Sequence, residues 1–173
     1  MRVFSVATIA MLMSGCVTPQ VVSPPKTTVD FRQYKTVKLV MIDEVNTPYS
    51  QEGLSRFEAF LKGRLQILGY SVGAADGDMT LEVRILSFSP GNTAARLIVG
   101  FGAGRAVLTY RASFRDRSGT LITELEGGKA FHGMELNLPD NPVFKTDEDI
   151  RLRMIQEAVL QVGQFIRNNG ELK

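Results

Sequence analysis

Nucleophilic catalysis needs a Ser, Cys or Thr beside a positioned base, and this chain holds one histidine, His132, and one cysteine, Cys16. One Cys with one His falls short of the usual zinc ligand set and excludes an internal disulfide. No G-x-S-x-G run occurs. The carboxylates Asp43-Glu44 and Glu124/Glu126 have types suited to acid–base work, but Glu124 and Glu126 fall on the polar side of an alternating strand. Solvated sheet charges account for them. Gly100-Phe101-Gly102-Ala103-Gly104-Arg105-Ala106 has the glycine density of a phosphate loop. A dinucleotide loop requires G-x-G-x-x-G between a strand and a helix. Here the third glycine comes one place early and a strand follows. These patterns point to no catalytic residue, no metal and no cofactor. A net charge of +2 over 173 residues also gives nucleic acid no phosphate-neutralising surface.

Cys16 has a different chemistry in prospect. Arg2, the apolar run Val3 to Met13 and the small pair Ser14-Gly15 form the three parts of an export signal. The run is far shorter than the ~20 residues that cross hydrocarbon as a helix. Met13-Ser14-Gly15-Cys16 resembles the lipobox of bacterial lipoproteins, with Met13 where Leu is commoner. The resemblance implies removal of residues 1–15, a diacylglycerol thioether on Cys16 and acylation of its new amino terminus. Several chains at ~0.8 kcal/mol per buried CH₂ anchor a protein durably, whereas one does not. Val17, rather than Asp, implies sorting to the outer membrane, with the domain in the periplasm. Residues 16–30 are proline-rich and read as an extended tether.

A single domain is expected over residues 31–173. Thr36 to Asp43 is a β-branched, nearly continuous apolar run, as in an inner strand. Leu54, Phe57, Leu61, Leu65 and Leu68 recur at helical spacing, with Ser50 as the expected N-cap. Met79 to Ile85 alternates, and its phase shifts at Leu86 and Phe88, as at a bulge or the strand's end. Arg105 to Asp116 and Leu121 onward alternate about a D-R-S-G turn, which predicts a hairpin. Setting Arg115 against Thr120 puts Phe114 opposite Leu121 and Arg111 opposite Glu124. A final helix is expected over 147–167, with acids in its first turn. The class is α+β: a two-layer sandwich, its mainly antiparallel sheet of about four strands carrying both helices on one face. The Thr36–Asp43 strand is expected to pair in parallel with a neighbour.

Phe88 through Arg96 and the glycine-arginine run to Asp116 resemble the bacterial lipoprotein family known as domain of unknown function 4410, a likeness that extends over most of the domain, from the strand at Thr36 to the final helix. The resemblance implies an envelope protein of similar fold and supplies no reaction. It marks Asn92, Arg96, Gly100, Gly102, Gly104 and Arg105 as candidate partner-binding residues. Leu97 to Gly104 carries no charge, so a partner protein or a lipid interface would cover it if exposed. The function expected is a lipid-anchored, non-catalytic lipoprotein that binds an envelope protein or glycan. The alternatives are a ligand or glycan site built on Arg84, Arg105 and Arg111 of the polar sheet face, and an envelope hydrolase using acids.

Overall fold

The computed structural model describes residues 20–23, 29–73, 75–89, 91–92, 104–131 and 147–170. Strands β1 (Gln20–Ser23), β2 (Thr36–Asp43), β3 (Ser71–Val72), β4 (Met79–Ser89), β5 (Ala106–Asp116) and β6 (Leu121–Phe131) form one sheet. Helices α1 (Pro48–Ile67) and α2 (Asp147–Arg167) pack together on one face of it, as expected. The strand order is β1-β6-β5-β4-β2-β3. Two short edge strands, β1 and β3, raise the count above the expected four. Both are too short to show a period, which is the only signal alternation gives.

β2 runs parallel to β4, and β4, β5 and β6 form an antiparallel meander. Alternation sends Leu81, Val83, Leu108, Tyr110, Ala112 and Leu125 inward, all fully buried. The phase shift after Ile85 is a register irregularity between β4 and β5, after which Phe88 points inward. Its ring lies over Gly53 of α1, where an added Cβ would come within 2.9 Å of it. Phe57, Leu61 and Leu65 from α1 and Met154, Ala158, Val162 and Phe165 from α2 complete the core.

Residue by residue, some expectations shift. α1 starts earlier than expected, because Thr47 is its N-cap and Ser50 closes a reciprocal capping box at N3. The β5–β6 register differs by two over most of its length: Arg111 faces Glu126, and Ala112 faces Leu125. The five-residue closure Asp116–Thr120, with Gly119 at φ +86, moves the register by one, and the irregularity between Phe114 and Arg115 moves it by one more. A slip of two preserves every side chain's face, so matching apolar with apolar could not detect it.

The N-terminal segment is more embedded than a tether. Gln20, Val21 and Ser23 pair antiparallel with Glu126, Leu125 and Glu124 of β6. Val29 is buried, and Phe31 is fully buried against Phe114 (ring centroids 5.2 Å) and Phe165 (6.2 Å). The packed domain therefore begins before residue 31. β-Branched Val21-Val22 beside the otherwise unpaired edge of β6 supplies the physical reason.

Candidate functional site

The two candidate regions share one sheet face, the one turned away from the helices. Across its middle, β4 and β5 bring Arg84 opposite Arg111, flanked by Glu82, Glu124 and Glu126. Two like charges abreast repel unless each has its own counter-charge. Arg84 has two: Nε donates to Glu82 at 2.7 Å and Nη1 to Glu44 at 3.0 Å. Arg111 binds Glu126 at 2.7 Å through Nη2, and its Nε lies 3.6 Å from Glu124. Glu124 in turn accepts from the Ser113 hydroxyl at 2.6 Å. Glu44 and Glu126, followed by the remaining carboxylates, hold the two guanidinium groups firmly charged. Both arginines are thus paired with carboxylates of their own surroundings. Arg105 sits elsewhere, exposed just before β5.

At the end of the sheet where β4 finishes and β5 begins, an open cleft of about 520 Å³ is lined by Ser87, Ser89, Asn92, Gly104, Arg105 and Val107. The bulge after Ile85 is what turns Ser87 and Ser89 to this face, opposite Thr109 and Val107. The Asn92 N–H donates to the Gly104 carbonyl at 2.9 Å, joining the two strands' exits. Gly104 adopts φ +67, a conformation that favours glycine. Of the residues marked in the sequence, Asn92, Gly104 and Arg105 therefore come together. Arg96, Gly100 and Gly102 lie outside the described residues, as do Cys16 and His132. The serine hydroxyls were missed, because their face depends on where the bulge falls.

Asp43-Glu44, a pair with acid–base composition, is divided between two tasks. Asp43 accepts from the Ser50 hydroxyl at 2.6 Å and from the Val45 and Asn46 N–H groups, so it organises the entry to α1. Glu44 belongs to the Arg84 pair. Among the described residues, no three His, Cys, Asp or Glu side chains gather as metal ligands. No described helix is long and apolar enough to cross a membrane.

Residues 67–133 match the family described as Domain of unknown function (DUF4410). The chain resembles that family. The matched span takes in the end of α1, the β4–β6 meander and the whole glycine segment. No curated protein matches the sequence. Among solved structures, the PelC dodecamer from Paraburkholderia phytofirmans is similar in fold, with a TM-score of 0.52 and 11% identity over 90% of this chain and 99% of that one. A single-residue variant of the same dodecamer gives a TM-score of 0.50 at the same identity, covering 90% of this chain and 98% of that one. A minor lipoprotein from Acinetobacter baumannii reaches 0.44 with 18% identity, covering 79% of this chain and 92% of that one.

Proposed function

We infer that this protein is a non-catalytic lipoprotein of the bacterial outer membrane, anchored through Cys16, whose periplasmic domain engages another envelope component. The observation that carries this is Met13-Ser14-Gly15-Cys16 closing an apolar run that starts after Arg2. Residues 1–15 contain Arg2 as their only charge, so the mature chain is nearly balanced. Balanced charge gives anionic lipid little to attract. Binding through the sheet end of Asn92, Gly104 and Arg105 is favoured over the ligand site on the sheet face. Arg84 and Arg111, two of that site's three arginines, are held by their own carboxylates.

The test is metabolic labelling with a fatty-acid analogue. Wild-type protein takes up label and fractionates with membranes. Cys16→Ser takes up none and accumulates as uncleaved precursor or as soluble protein, since no thioether can form. Equal labelling of the two overturns the anchor and the localisation together.

A further inference from the structure

β1 limits where the membrane can be. Only residues 17–19 separate Cys16 from Gln20, the first residue of β1. A chain extends at most ~3.3–3.6 Å per residue, so Cys16 stays within roughly 14 Å of Gln20. Gln20 is not at a free tip; it is paired with Glu126, in the middle of β6.

The polarity of β1 then selects a direction. β1 is antiparallel to β6, so tracing back from Gln20 leads toward Phe131, which faces Ala106 at the start of β5. That is the sheet end holding Ser89, Asn92, Gly104 and Arg105. The opposite end is the Asp116–Thr120 turn. Phe131 and Leu121 both lie five residues, or roughly 17 Å at ~3.3–3.4 Å per strand residue, from Glu126, so the direction of β1 and not distance separates the two ends.

The chemistry of the two ends agrees with that direction. The near end presents the exposed Arg105 beside the Ser87 and Ser89 hydroxyls. Arginine binds phosphate oxygens in pairs while its stem lies along apolar matter. The far end carries Asp78, Arg115, Asp116 and Arg117 in a mixed cluster suited to water.

We propose that the sheet end formed by Ser89, Asn92, Gly104 and Arg105 lies against the phospholipid headgroups of the bilayer that holds the Cys16 anchor. Its occupant is the lipid surface itself, with Arg105 on lipid phosphate. This rests on the lipid-anchor reading above, and names the component that the sheet end meets first.

The lipidated full chain in phosphatidylethanolamine–phosphatidylglycerol vesicles tests it. Acylation consumes the Cys16 thiol, so an introduced cysteine is the single free one. Ser89→Cys and Arg117→Cys each receive a fluorophore, and headgroup-nitroxide lipid is the quencher. Quenching several-fold stronger at position 89 is expected, and adding Arg105→Glu should weaken it. Equal quenching, or stronger quenching at 117, overturns the orientation. A fatty-acid label on the same samples separates the two failures. Unlabelled protein that stays off the vesicles overturns the anchor and this proposal together. Labelled protein with position 89 unquenched overturns the proposal alone, and leaves that end open to a protein partner.

Discussion

The Tyr110 phenol passes beneath Gly127 of β6 to reach α2, where it donates to Gln161 Oε1 at 3.0 Å, with the Ala158 carbonyl at 3.3 Å. Burial pushes its pKa far up, so it remains a neutral donor at any ordinary pH. The bond joins the sheet to the second helix at a point where no side chain can intervene. A Cβ on Gly127 would come within 2.7 Å of the phenol oxygen and 2.9 Å of Gln161 Oε1. Gly128 next to it is pressed against the Leu108 carbonyl. Gly127→Ala should therefore destabilise by about 1–3 kcal/mol, the usual range for overpacking. Tyr110→Phe should cost about 1–2 kcal/mol, by stranding buried acceptors. Urea midpoints at constant slope will check both. The double variant should lose less than the sum, because the phenylalanine lacks the oxygen that the methyl strikes. Strict additivity would mean that the close approach is not the cause. The sequence signalled that Tyr110 points inward. It gave no reason for two glycines in a strand, since that reason lies across the sheet and on a helix far along the chain.

At the level of elements, three carboxylates fix the boundaries. Asp78 accepts from the Lys35 and Thr36 N–H groups at 3.1 Å while its own N–H donates to Thr36 Oγ1, tying the start of β2 to β4. Asp116 accepts from Ser118 and Thr120 and shapes the β5–β6 turn. Asp43 shapes the entry to α1. The Asp78 pKa is lowered by the Lys35 N–H first and then by Thr36, and that of Asp116 chiefly by the Ser118 hydroxyl. Desolvation pushes Asp43 upward, but the Ser50, Asn46 and Val45 hydrogen bonds together outweigh it. All three are depressed in the folded state. Their contribution is thus complete above the unfolded value of ~3.9 and is lost as pH falls through the lower folded values. Melting temperature should be insensitive to these groups between about pH 5 and 7, above their unfolded value, and fall below about pH 4. Asp78→Asn should start lower and fall less steeply; an equally steep fall would remove Asp78 from the account. The presence of α1, β4, β5 and α2 was legible because each is long enough to repeat its period, although α1 begins at Pro48 and β4 runs on to Ser89. The register of β5 on β6 was not, because two registers two residues apart satisfy the same pattern. The closure from Asp116 to Thr120 and the irregularity between Phe114 and Arg115 together decide between them.

For the molecule as a whole, the two-layer arrangement follows from stripes that must meet: two helical ones and three alternating strands leave one economical packing. The attachment of the N-terminal segment did not follow, because proline content argues for extension without saying what the extended chain lies beside. Extension and pairing are compatible on an edge, where only alternate N–H groups face the neighbour. This separates the stability of the domain from its placement at the membrane. Among the residues whose burial is described, the core runs from Val29 and Phe31 to Ile166. Val21→Pro/Val22→Pro removes both N–H groups, including whichever faces β6, while still allowing an extended path. Thermal stability should change little, by about 1 kcal/mol or less, since what is lost is an edge strand of four residues. Fatty-acid labelling should be unchanged, because the motif at residues 13–16 is intact. With β1 released, however, the length between Cys16 and the packed domain grows from residues 17–19 to residues 17–28. The preference of the quencher for position 89 over 117 should then shrink toward equality. If the preference survives at full strength, the headgroup contacts of Arg105 and its neighbours hold the domain in place by themselves. If it was absent in the wild type as well, β1 has no part in orientation.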